Sequence, residues 1–176
     1  MHSQSHGPDP AIRPLLASAG VIDALAALLI ETVAHGGSVS FMHPLAPQKA
    51  EDFWRAALAD PGRRVLGVWS GDVLAGTVTL ILGLPENQPH RAEIAKMMVA
   101  RAHRGQGIGK RLLAAAEAEA RAEGRSHLLL DTASEGGAAG FYEKAGFNFS
   151  GEVPGYALKP HGGLTATRFY WKRLDS

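Results

Sequence analysis

Cysteine is absent from the sequence. That removes disulfides, thiolate metal sites and a cysteine nucleophile, so any covalent catalysis would need another side chain. It is compatible with a reducing cytoplasm, which is the expected location. Long apolar runs are also missing. The two longest, around Ala24–Ile30 and Val73–Leu84, fall short of the roughly 20 residues that a membrane span needs. The opening stretch "MHSQSHGPDP" has no apolar segment and reads as a loose tail rather than a secretory signal. Charge of one sign is scarce: the formal net charge is +1, which gives no global reason to expect nucleic acid or an acidic membrane as a partner. The eight histidines are scattered, and none forms an HxxxH or HxH pair on one element. No metal is therefore expected.

What remains is the composition of an ordinary globular chain, 45% hydrophobic and 20% charged over 176 residues. That is long enough for one domain with a full core. There is no internal repeat or linker, so residues 1–10 are taken as the tail and 11–176 as a single domain. "AIRPLLA" (Ala11–Ala17) predicts a first strand. "GVIDALAALLIETVAHGG" has helix composition and stops at Gly36-Gly37. "PQKAEDFWRAALADPG" predicts a second helix, with Pro47 near its start. "RRVLGVWSGDVLAGTVTLIL" is a hairpin about Ser70-Gly71-Asp72. Arg91–Ala100 is a further strand and Ile108–Glu123 a long helix. "SHLLLDT" is a buried strand and "EGGAAGFYEKAGF" a short helix. "FNFSGEV" and "TATRFYWKRL" close the chain as strands, with "PGYALKPHGGL" between them as an ordered loop. The order β-α-α-β-β-β-α-β-α-β-β alternates only in its second half. It predicts an α/β fold with a mixed sheet rather than a doubly wound parallel one.

The densest signal lies between the Arg91–Ala100 strand and the helix after it. Gly105, Gly107 and Gly109 stand within five residues, flanked by Arg104, Lys110 and Arg111. Converging backbone N–H groups at a helix start, with glycines that permit close approach, make a phosphate cradle. Two familiar cradles fail on spacing. A Walker A loop needs glycine five residues before Gly109, where Arg104 stands, and Ser or Thr after Lys110, where Arg111 stands. The dinucleotide fingerprint needs a third glycine at position 110, which is lysine, although Asp131 does end the next strand. The cluster is short and has no interleaved aromatics, which argues against a nucleic-acid patch.

The pattern Arg104-Gly105-Gln106-Gly107-Ile108-Gly109 resembles the acetyl-CoA loop of the GNAT superfamily of N-acetyltransferases. "LLLDTASEGGAAGFYEKAGF" is similar to that superfamily's next strand and helix, with its Tyr followed by Gly-Phe. A closer resemblance, over about His90–Leu174, is to the tabtoxin-resistance acetyltransferases, through "HRAE", "LDT", "FY", "PGY" and "TRFYWK". The resemblance implies a mixed central sheet of six to seven strands with about four helices, in which two parallel strands splay. It implies acetyl-CoA as cosubstrate, no metal, and direct acetyl transfer to a primary amine of a small molecule, with amino-acid-like toxins or antibiotics among the candidates. Alternatives are protein N-terminal or lysine acetylation, and a catalytically idle acyl-CoA-binding module. Relatives are often dimers, which makes a homodimer an expectation.

The same resemblance implies that Arg104, Gly105, Gln106, Gly107, Ile108, Gly109 and Lys110 take the cofactor pyrophosphate. Met97, Met98 and Val99 would border the pantetheine arm, with the Met97 amide aimed at the thioester oxygen. The two methionines also suit plain core packing. Strand alternation predicts that Glu93, Ala95, Met97 and Val99 share a face. Glu93 is then either a solvated strand residue or the base that draws the ammonium proton. Asp131 ends a buried run, where it either caps the following helix or serves as a second carboxylate for the acceptor or its proton. Tyr142 is either a core aromatic beside Phe141 and Phe147 or, as the superfamily implies, the group that protonates the leaving thiolate. Many relatives carry Asn seven residues before this Tyr; here Glu135 stands there.

Overall fold

Ser18 starts the first helix by accepting a hydrogen bond from the Val21 amide at 3.3 Å, and Gly36, at φ +85°, ends it with a left-handed residue. The same local logic runs through a computed structural model that describes residues 11–174; the expected tail lies outside them. In chain order the elements are β1 (Arg13–Pro14), α1 (Ala19–Ala34), α2 (Pro47–Ala59), β2 (Arg63–Ser70), β3 (Val73–Ile81) and β4 (Arg91–Val99). A single tight helical turn, Arg101–His103, leads into α3 (Ile108–Ala122), β5 (His127–Ala133), α4 (Ala138–Lys144), β6 (Asn148–Leu158) and β7 (Leu164–Arg173).

The seven strands form one sheet in the order β1-β2-β3-β4-β5-β7-β6. Every neighbouring pair is antiparallel except β4 and β5, which run parallel. A parallel pair needs a crossover, and α3 supplies it. Both sheet faces are covered. Trp54, Leu25, Leu29 and Val33 from α1 and α2 pack with Val65, Leu74 and Met98 on one face. On the other, Leu112, Leu113 and Ala116 of α3 and Tyr142 of α4 pack with Val78, Leu80, Ile94, Leu128 and Leu130.

Two expected boundaries change. The first strand shrinks to Arg13–Pro14 at the sheet edge. The Pro- and Gly-rich interval 154–164, expected as a loop, is strand as far as Leu158. The ladder to β7 skips from Val153 to Ala157, so Pro154, Gly155 and Tyr156 bulge out. β6 is the other edge strand, where a proline that lacks a donor breaks no outward pairing.

Candidate active site

β4 and β5 begin as paired neighbours and then part. Their register runs through Arg91/His127, Ala92/Leu128 and Glu93/Leu129 and stops there, although β4 continues to Val99 and β5 to Ala133. The V between them opens into a cavity of about 600 Å³. Met97, Met98 and Val99 line one wall and Asp131, Thr132 and Ala133 the other; Arg104 and Tyr142 also face it. Residues 35–40, which follow α1, and Lys159 also line it.

At the outer end of β4 the glycine segment has the form expected of an anion cradle. Gly105 and Gly107 sit at φ +75° and +76°, a region that costs other residues about 1–2 kcal/mol. A Cβ on either would meet open space, so the requirement is conformational and not one of room. Gly107 occupies the N-cap of α3, no side chain caps that end, and the first turn holds no acid. It holds Lys110 and Arg111 instead, a sign that the helix dipole does not favour there and that an anion at the same end would offset. Arg104 Nε donates to the Val99 carbonyl at 3.2 Å, and Gln106 Nε2 to the Ala102 carbonyl at 3.3 Å. Both bonds brace the loop against its own approach. Gly109 lies deeper: a Cβ there would stand 3.6 Å from Met97 Cε and from the Phe141 ring.

Strand alternation fails in the middle of β4. Ala95 stands opposite Thr79 and Met98 opposite Thr77, so three positions on β4 span two on β3. The extra residue is a bulge, and Lys96 at φ +49° is its centre. Glu93, Ala95 and Met98 consequently share the α1/α2 face, whereas Met97 and Val99 pack on the α3/α4 face. The expected common face of Glu93, Ala95, Met97 and Val99 is corrected. A strict period of two holds only for an unbulged strand.

The bulge sends two neighbouring side chains in opposite directions. Met97 meets Tyr142, whose Oη donates to Met97 Sδ at 4.0 Å. Tyr142 is 8% exposed and packs edge-on against Phe141 and Phe147. Burial, helped by the charge of Asp131, pushes its hydroxyl up to about 12, so it keeps its proton at neutral pH. It is both a core aromatic and a wall of the cavity. Lys96 turns the other way, toward α2. Its Nζ lies 3.1 Å from Ser40 Oγ and 5.6 Å from the centre of the Phe53 ring.

The two carboxylates part company. Asp131 lines the cavity. The residue is exposed, but partial desolvation by the cavity walls raises its pKa above the usual carboxylate value, Lys96 opposes that shift, and Glu93 adds to it. Glu93 is not among the lining residues; it pairs with Arg91 at 2.6 Å. Glu135 lines the cavity from the β5–α4 loop and is bound to Lys159 at 3.2 Å. Among the described residues, no three His, Cys, Asp or Glu side chains gather to hold a metal ion, and no helix is long and apolar enough to cross a membrane.

A family model described as the acetyltransferase (GNAT) family matches residues 30–147, a span that contains the V, the glycine cradle and Tyr142. The chain belongs to the GNAT family. An uncharacterized N-acetyltransferase from Azospirillum brasilense is 36% identical over 104 residues, 57% of this chain and 61% of that protein. The chain therefore matches less than two thirds of that relative's length. Among solved structures, a ribosomal-protein-alanine N-acetyltransferase from Brucella melitensis superposes with a TM-score of 0.78 at 23% identity, covering 93% of this chain and 99% of that one. A Salmonella typhimurium protein solved with its cofactor acetyl-CoA superposes with a TM-score of 0.76 at 21% identity, covering 96% of this chain and 95% of that one. At these identities the likeness is one of fold: a seven-stranded mixed sheet with four helices, as in GNAT structures.

Within this GNAT chain the structure gathers Met97, Met98, Val99, Arg104, Asp131 and Tyr142 about one cavity. Gly105, Gln106, Gly107, Ile108, Gly109 and Lys110 stand at the α3 terminus beyond it. Sequence reasoning missed Lys96. An amphipathic strand pattern gives a lysine there to solvent, and nothing in the residue string announces a left-handed lysine in a bulge.

Proposed function

We propose that the protein transfers the acetyl group of acetyl-CoA directly to a primary amine of a small molecule. The observation that carries this reading is the V between β4 and β5, with an anion cradle at its mouth and a carboxylate and a phenol on its walls. Acetyl-CoA, when bound, supplies an activated acyl group and a thiol leaving group. Uncapped amides of α3 and the adjacent cations hold the pyrophosphate. The Met97 amide, at the bulge, stabilises negative charge on the acyl oxygen. Asp131 accepts the proton that the acceptor ammonium must lose, and its raised pKa makes it a better base than a solvated carboxylate. Glu93 acts at a distance, through its charge on Asp131. Tyr142 returns a proton to the departing sulfur.

A small acceptor suits the part of the cavity lined by residues 35–40 and Lys159. The His43 amide donates to the Pro160 carbonyl at 2.9 Å. His161 Nε2 lies 3.0 Å from the Ala34 carbonyl, and the His43 and His161 rings stand 4.5 Å apart. These contacts tie the α1–α2 region to the β6–β7 turn, where a protein acceptor would need an open groove. The likeness of residues 90–174 to tabtoxin-resistance acetyltransferases supports the same choice. The test is release of CoA thiol from acetyl-CoA over a panel of small amines and of peptides with free N-termini. Thiol release with small amines but not with peptides is expected. Peptides alone as substrates would reverse the assignment, and tight acetyl-CoA binding without turnover would mark an idle module.

A further inference from the structure

Lys96 is a cation in an unusual position. It is only partly exposed, lines the cavity, and has no ion pair among the described residues. Its neighbours are a hydroxyl, Ser40 Oγ at 3.1 Å, and the face of Phe53. Burial lowers its pKa from the usual lysine value, the charge of Asp131 opposes that, and Arg63 adds repulsion. Most partly buried cations in this molecule do have carboxylates: Arg64 has Glu123 at 2.8 Å, and Lys172 has Glu117 at 2.7 Å. The backbone at Lys96 is strained as well, at φ +49°, where glycine would sit without cost. The lysine thus bears a conformational cost and a desolvation cost and has no counter-charge in contact.

Asp131 stands in the same cavity and within electrostatic reach of Lys96. Of the cavity's other charged residues, Glu135 and Lys159 pair with each other and Arg104 is braced on the Val99 carbonyl, which leaves Asp131 and Lys96 as a separated negative and positive group on the same face of the sheet. Ser40 supplies a hydroxyl beside the positive one, and an ammonium keeps further N–H donors after that single bond. Resting on the acyl-transfer reading above, we infer that the acceptor is an amine that also carries a carboxylate, with Asp131 receiving its amino end and Lys96 and Ser40 its carboxylate. Polycationic amines then bind poorly, because Lys96 repels them and offers no acceptor.

Wild type and Lys96→Met, which keeps the stem and removes the charge, are compared on the standard amino acids and their carboxamides. Thiol release gives kcat and KM. Calorimetry on the protein saturated with CoA gives amino-acid binding without turnover. A hydrogen bond between charged partners is worth about ten- to a hundredfold in affinity. The wild type is expected to favour an amino acid over its carboxamide by that factor. Lys96→Met is expected to raise KM for the acid about tenfold or more, with kcat and the carboxamide KM within about twofold. Lys96→Arg is expected to restore part of the loss, and acetyl-CoA affinity serves as the control for folding. Equal loss on acid and carboxamide, a wild type indifferent to the carboxylate, or no amino acid bound at all would overturn the inference. If no amine releases thiol yet Lys96→Met abolishes amino-acid binding, the acyl-transfer reading falls and the anchor stands.

Discussion

A carboxylate that loses part of its hydration holds its proton to a higher pH than usual, and Asp131, exposed yet walled by the cavity, is such a group. As the proposed base it must be ionised, so turnover should fall as pH drops through a pKa above the ordinary carboxylate value. Asp131→Asn should lower kcat/KM about a hundredfold or more, within the usual range for general bases, and abolish that acidic limb. Glu93→Gln should shift the limb downward, because the Glu93 charge raises the Asp131 pKa; an unmoved limb would mean that another group titrates. Tyr142→Phe keeps the ring in its aromatic cluster and removes the proton. Among the described residues its hydroxyl has only a thioether partner, at 4.0 Å, so the melting temperature should stay within about a degree or two while kcat falls about a hundredfold. No fall in kcat, with chemistry shown to limit the rate, would reduce Tyr142 to a packing residue. Tyr142 was legible in the sequence because its neighbours Phe141, Gly146 and Phe147 fix its place on a short helix. Asp131 was legible because a charge after "HLLL" demands a reason. Lys96 was not, since its orientation depends on one backbone torsion.

At the level of elements, the cradle separates shape from charge. Gly107→Ala adds a methyl group where nothing stands within 4 Å, at a φ of +76°. It should cost about 1 kcal/mol of stability and weaken acetyl-CoA binding modestly. Gly107→Glu sets a negative charge among the uncapped amides proposed to hold the pyrophosphate. It should cost about a hundredfold or more in acetyl-CoA affinity, a few kcal/mol of repulsion at short range, with a similar loss of stability to the alanine variant. Equal affinities of the two variants, by calorimetry, would place the pyrophosphate elsewhere. The helices and the hairpin were readable from periodicity and from their stops, because those signals are local. The β6 extension through Pro154-Gly155 was not, because a proline in a strand depends on whether the strand lies at the edge, and strand order is a property of the whole sheet.

Across the whole molecule, the sheet is two sheets joined along a short seam. β1–β4 carry α1, α2 and α3, and β5, β7 and β6 carry α4; three paired positions, Arg91/His127, Ala92/Leu128 and Glu93/Leu129, connect the two across the parallel boundary. Beyond that seam, every second backbone amide of Leu130–Ala133 turns away from β7 toward a space where no strand lies. Such amides exchange their hydrogens with water readily unless something donates or accepts in the missing rungs. A chain threaded through the V would fill those rungs, so the ligand would act as a temporary eighth strand. Hydrogen exchange should therefore slow on acetyl-CoA addition in alternating positions of Leu130–Ala133 and around the Lys96 bulge, and much less in α2 or β2. Uniform slowing across the protein would mean global stabilisation alone. The alternating pattern would mean that the ligand itself takes up the rungs that β4 leaves vacant beyond Glu93/Leu129.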